Sequence, residues 1–135
     1  MNHHLPPSAR NACASCIKSC ESTVSELQKL VSKCVSNRLD ECAAEIGKSV
    51  HHATECIAAC QLCISECESH LKECSQATCK QICHQCIDMC KKCIESCQKT
   101  LSDCKSGNDQ CLKSSEKSIK TINECAQACL QCIKL

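Results

Sequence analysis

Cysteine, rather than leucine or isoleucine, marks the periodic inward positions of this chain. Over 77–105 it falls at Cys79, Cys83, Cys86, Cys90, Cys93, Cys97 and Cys104, an unbroken 4–3 heptad stripe. Over 40–74 one stripe runs through Cys42, Ile46, Ser49, Ala53, Cys56, Cys60, Cys63, Cys67, His70 and Cys74. Over 9–36 it holds Cys13, Cys16, Cys20, Thr23, Leu27, Leu30 and Cys34, and over 110–134 Cys111, Ser115, Ser118, Ile122, Cys125, Cys129 and Cys132. Every cysteine lies on one of these four seams. A second stripe flanks each seam at seven-residue intervals: Ile17, Val24 and Val31; Ile57, Ile64 and Leu71; Ile87, Ile94 and Leu101; Ile119, Ala126 and Ile133. The other positions are mostly Lys, Glu, Gln and Ser, as on a solvated outer face.

Breaks in the periodicity divide the chain into four helices. Pro6-Pro7-Ser8 reads as a helix start with Ser8 as N-cap, and further breaks fall at 37–40 and 75–78. Ser106-Gly107-Asn108-Asp109 pairs a glycine stop with an aspartate N-cap. The predicted helices span 9–36, 40–74, 77–105 and 110–134, and connections this short make sequential neighbours antiparallel. The expected fold is therefore all-α: an antiparallel up-down-up-down four-helix bundle with a cysteine-lined core. Residues 1–8 are read as a flexible N-terminus and 9–135 as one metal-binding domain.

Antiparallel threading polarises the thiols. Cys13, Cys16 and Cys20 should meet Cys60, Cys63, Cys67 and Cys74, with Cys79, Cys83, Cys86, Cys90, Cys125, Cys129 and Cys132 closing the ring. Only Cys34, Cys42, Cys104 and Cys111 should gather at the opposite end, which polarity alone suggests as an entrance for metal.

Composition narrows the function. The chain has 135 residues, of which 21 are cysteine, and no aromatic residue. Sixteen Lys and Arg against fifteen Asp and Glu leave a formal charge of +1, with no basic surplus for phosphates and no stacking rings for single strands. Nucleic acid is thus excluded as a partner. Two glycines build no phosphate-cradling loop. No apolar run of membrane-spanning length exists, and the first residues have neither a basic n-region nor an apolar h-region, so a cytoplasmic location is expected.

What remains is the chemistry of the thiols. Sulfurs one turn apart on a helix stand too far apart at Cβ for an unstrained disulfide, so only cross-helix bridges remain. The odd count and the expected reducing compartment argue against a disulfide framework. Simple packing explains poorly why cysteine so often replaces leucine on the seam. CxxC occurs at 13–16, 60–63, 83–86, 90–93 and 129–132, inside helices rather than in a redox βα setting, and no iron–sulfur CxxCxxCxxxC run is present. Metal binding by thiolate is left, and soft sulfur selects Cu(I), Zn(II) or cluster iron. A zinc ion in a four-thiolate site leaves two negative charges, which are costly to bury, whereas one Cu(I) per thiolate is neutral. Charge balance therefore favours multiple Cu(I) ions, mostly held by cysteine pairs at CxxC or CxxxC spacing, over zinc. All twenty-one cysteines are candidate ligands. The alternatives are a Zn(II)- or Cd(II)-buffering, metallothionein-like protein and a redox or disulfide-bonded structural protein.

Seams such as Cys56-x3-Cys60-x2-Cys63-x3-Cys67 and Cys79-x3-Cys83-x2-Cys86-x3-Cys90-x2-Cys93-x3-Cys97, on four helices, resemble the bacterial copper storage proteins. The resemblance covers essentially 9–134. It implies a four-helix bundle filled with many Cu(I) ions, a storage or detoxification role, no turnover of a substrate, and the cytosolic branch of the family. One departure is the middle of the bundle, where Leu27, Leu30, Ile46, Ala53 and Ile122 hold seam positions and point to ions concentrated toward one end. The sequence names no copper donor or acceptor and leaves a homo-oligomer open.

Secondary candidates are fewer. His70 sits on the seam as a ligand or as a core-edge histidine. His51, His52 and His84 read as solvated surface, and Met89 as packing rather than a thioether ligand. Met1-Asn2-His3 offers nitrogen donors to Cu(II) or Ni(II), a mobile terminus or cloning remnant being the plainer reading.

Overall fold

A computed structural model of the chain describes residues 5–36, 38–107 and 109–135. It contains four long helices, α1 (Pro7–Ser36), α2 (Ala43–Glu73), α3 (Ala77–Lys105) and α4 (Gln110–Ile133), and a short 3-10 turn (Leu39–Cys42) leads into α2. α1 packs against α2 and α4, α3 against the same two, and among the described residues the diagonal pairs do not approach as backbones. Contacts run in opposite sense along each neighbouring pair. Cys13 meets Cys63, Cys16 meets Cys60 and Cys20 meets Cys56; across α3 and α4, Cys86 meets Cys129 and Cys90 meets Cys125. The bundle is therefore antiparallel and up-down-up-down, as the short connections require.

The helix ends differ in detail from the sequence reading. Pro7 occupies the first helical position, where its missing N–H is harmless, so Ser8 lies inside the first turn and is not the N-cap. Leu5, assigned to a flexible arm by sequence, is buried and joins the core with Ala9. Residues 1–4, and with them Met1-Asn2-His3, lie outside the described residues, as do Asn37 and Asn108 in the first and third breaks. The second break falls at Cys74–Gln76, where Cys74 and Gln76 are both extended. α3 stops at Gly107, whose φ of +66° suits glycine, and whose N–H donates to the Cys104 carbonyl. Asp109 stands at the α4 N-cap position without a capping hydrogen bond from its side chain among the described residues.

The seams face the bundle axis. All the free cysteines except Cys74 are buried, and Leu27, Leu30, Ala53 and Ile122 continue the same line. The flanking Ile17, Ile57, Ile64, Ile94, Leu101, Ile119 and Ile133 are half-buried against that core, filling the helix-to-helix grooves. Arg10 ties one end shut, donating from Nη1 to the Ile133 carbonyl at 3.1 Å. Among the described residues no helix is long and apolar enough to cross a membrane.

Because aliphatic packing closes the bundle without metal, the reduced, metal-free chain should be helical by circular dichroism and resist denaturant cooperatively. Ile122→Ala, which empties a fully buried position, is expected to cost about 2–5 kcal/mol of unfolding free energy, and Leu62→Ala on the exposed face less than about 0.5. Equal losses at the two sites would mean that the metal-free interior is not packed.

Candidate metal centre

The axis divides into two sulfur-bearing regions. The larger core holds Cys13, Cys16, Cys20, Cys56, Cys60, Cys63, Cys67, Cys79, Cys83, Cys86, Cys90, Cys93, Cys97, Cys125, Cys129 and Cys132, with Cys74 beside it. The smaller holds Cys34, Cys42, Cys104 and Cys111 around Leu30. This is the polarity that antiparallel threading implies, and Cys56, Cys93 and Cys97 belong to the larger region.

Sulfurs in that region touch chiefly across helices. Sγ–Sγ distances are 3.6 Å for Cys13–Cys63 and Cys16–Cys60, 3.9 Å for Cys20–Cys56 and 3.8 Å for Cys56–Cys93. Cys63–Cys86 is 3.7 Å, Cys86–Cys129 3.6 Å and Cys90–Cys125 3.7 Å. Diagonal helices also meet through sulfur, at 4.0 Å for Cys60–Cys125 and 3.9 Å for Cys63–Cys129. Sulfurs about 2.3 Å from a shared four-coordinate ion would lie about 3.8 Å apart, so these thiols already stand at ligand spacing for a soft cation.

The ligand groups overlap. Cys13, Cys63, Cys67 and Cys86 form one; Cys63, Cys86, Cys90 and Cys129 the next; Cys16, Cys90, Cys125 and Cys129 a third. Cys20, Cys93 and Cys125 follow, then Cys56, Cys60 and Cys93, the sulfurs of each group lying within 4.8 Å of one another. Each group shares at least one sulfur with the next, giving a continuous column rather than separate sites. The same-helix pairs in these groups, such as Cys86 and Cys90, stand at the expected CxxxC spacing, and the remaining sulfurs come from other helices. Residues four apart on a helix are offset by about 40° and residues three apart by about 60° the other way, so the i,i+4 pair stays nearer the axis.

Protons are shared unevenly along the column. Contact first with Cys129, then with Cys16, holds the Cys125 thiol well below its usual range, while contact with Cys125 above all pushes Cys129 and Cys60 up. Nearer the ends, burial foremost pushes Cys79 up to about 12, with Cys74 adding to it, and burial followed by Cys42 does the same to Cys34. No Lys, Arg or His is buried among the described residues, so the wall brings no cation to the sulfurs.

Other candidates sort cleanly. His70 Nε2 lies 3.2 Å from Cys79 Sγ, beside half-buried Cys74, at the mouth of the larger region. His51 pairs with Glu55 at 3.0 Å on the surface, His84 is exposed, and Met89 packs against the core from the side. Cys104 and Cys111, expected as free ligands, are joined as a disulfide with Cα atoms 4.9 Å apart. A bond across the α3–α4 turn escapes the spacing problem that bars bridges within one helix.

Between the two regions lies a belt that sequence reading only partly caught. Buried Thr23 donates to the Ser19 and His52 carbonyls, and Ser49 to the Glu26 carbonyl. Ser118 Oγ lies 2.7 Å from both Ser96 Oγ and Thr100 Oγ1, and Ser114 donates to buried Asp103. The signal for Thr100 was the missing cysteine in the 97–104 step of α3. No protein-family profile, curated protein or solved structure matches the chain.

Because Cys34 and Cys79 keep their protons to about pH 12 when folded but ionise near pH 8.5 when unfolded, they stabilise the metal-free chain fully below pH 8.5. That contribution fades as pH rises through their folded range. Thermal melts of reduced protein should fall between about pH 8.5 and 12, and fall less in Cys34→Ser/Cys79→Ser; identical slopes would rule these two thiols out as the cause.

Proposed function

We propose that the protein is a store for many Cu(I) ions, held by the sulfur column inside the bundle. The overlap of the ligand groups carries this reading. Isolated four-thiolate zinc sites need their own ligands, whereas here neighbouring groups must share sulfurs, and bridging thiolates suit Cu(I) at a ratio near one ion per sulfur. Charge supports the same choice. Each Cu(I) that replaces a thiol proton leaves the column neutral, while each four-thiolate zinc adds two negative charges to a core without a buried cation. The sequence resemblance to bacterial copper storage proteins points the same way.

In this reading the bundle sequesters copper and turns over no substrate. It works in a reducing compartment such as the cytoplasm, where unpaired thiols persist. Copper enters beside His70, Cys74 and Cys79 rather than at the thinly populated end. Cys74 is the one free cysteine that is not buried among the described residues, and His70 offers an imidazole nitrogen 3.2 Å from the Cys79 sulfur.

Anaerobic titration of reduced protein against a Cu(I) chelator is expected to saturate near one Cu(I) per column cysteine. Saturation at about one metal per four cysteines, with zinc outcompeting copper, would favour the buffering alternative. His70→Ala/Cys74→Ser should slow copper uptake several-fold in stopped-flow transfer and lower capacity by no more than about two ions; an unchanged rate would place the entrance elsewhere.

A further inference from the structure

Cys34, Cys42, Cys104 and Cys111 differ from every cysteine of the column in one respect. The sixteen buried column cysteines each have another cysteine three or four residues away on the same helix. Each of these four stands alone, with Leu30, Ile46, Thr100 and Ser115 respectively one turn inward. One comes from the end of α1, one from the start of α2, one from the end of α3 and one from the start of α4. They cluster around Leu30, all of them buried. Leu27, Ala53, Ile122 and the hydroxyls of Thr23, Ser49, Thr100, Ser115 and Ser118 separate them from the column. Hydroxyl oxygen and aliphatic carbon are poor ligands for Cu(I), so a bridged copper chain ends at this belt.

We propose that these four cysteines form a second metal site of a different kind: a single-ion, four-thiolate site for a zinc-class divalent cation, open only when the Cys104–Cys111 disulfide is reduced. One ligand from each of four elements is the arrangement a closed tetrahedral site needs, and no sulfur here has a same-helix neighbour to extend a cluster. The two negative charges that count against zinc along the column arise here only once, at a bundle end where exposed Lys33 adjoins Cys34 in the chain. With the disulfide formed, two of the four ligands are withdrawn. A dithiol reductant supplies the two electrons and two protons that convert the bridge into two thiols, itself closing to a disulfide. The incoming cation then displaces the four thiol protons. The bridge closes the α3–α4 turn, in which Lys105, Ser106 and Gly107 are exposed while both bridged cysteines are buried, so reduction requires that turn to open.

The test uses the full chain under anaerobic conditions, with Zn(II) alone as probe and a chromophoric chelator as competitor. The starting protein should titrate nineteen free thiols, and treatment with a dithiol followed by its removal should raise the zinc retained by about one ion per chain. Zinc held by the column is common to both samples and cancels. Cys34→Ser/Cys42→Ser and Cys104→Ser/Cys111→Ser should each lose that same ion, and the fourfold variant no more than either. Twenty-one free thiols at the start, equal zinc before and after reduction, or losses that add in the fourfold variant would each overturn the proposal. The redox comparison needs no variant, so it decides the matter even if a substitution impairs folding. It is also independent of which ion fills the column.

Discussion

Among the described residues no Lys, Arg or His is buried with the sulfurs on the bundle axis, so negative charge acquired along the column must be cancelled chiefly by what it binds. The rest of the architecture follows from that constraint. Without metal, the thiols shift one another unevenly, contact with Cys129 foremost drawing Cys125 down while contact with Cys125 foremost pushes Cys129 and Cys60 up, so protons are held unequally along the column. A bound cation replaces those protons. The surrounding Ile and Leu exclude water, strengthening the coupling between sulfur and its ion while denying the column any solvent counter-charge. A neutral exchange, one monovalent ion for one proton, is the kind such an interior accommodates repeatedly.

Packing and binding are divided between two stripes on every helix. The flanking aliphatics, with the seam's own Leu27, Leu30 and Ile122, hold the helices together, which frees the cysteine positions from carrying the fold. Cysteine is small, and four inward seams of small side chains leave the axis narrow enough for sulfurs of diagonal helices to touch at about 4 Å. Aromatic rings would not fit on that axis, consistent with a chain that has none. The hydroxyl belt marks where this design stops, since Ser118, Thr100 and Ser96 satisfy one another rather than presenting donors to a soft ion.

Much of this was legible in the sequence because heptad spacing converts directly into a face. The four helices, their antiparallel order and the crowding of sulfur toward one end all follow from the positions of cysteine and of a few breakers such as Gly107. Local spacing could not tell which sulfurs touch. Cys13 and Cys63 are fifty residues apart, and their meeting depends on the axial register of two packed helices. The same limit hid the Cys104–Cys111 bond, which rests on the geometry of the α3–α4 turn, and the burial of Leu5, which depends on how the chain enters α1. His70 was placed on the seam by its spacing, but its contact with Cys79 required the α2–α3 connection to fold back as it does.

Continuity is the property on which the account rests, because a string of shared sulfurs is what distinguishes a copper column from a set of separate sites. X-ray absorption at the copper K-edge of the Cu(I)-saturated chain tests it directly. The account predicts a first shell of sulfur alone and a pronounced short copper–copper shell from bridging thiolates. Isolated copper ions without metal neighbours, or a first shell dominated by nitrogen or oxygen, would contradict it.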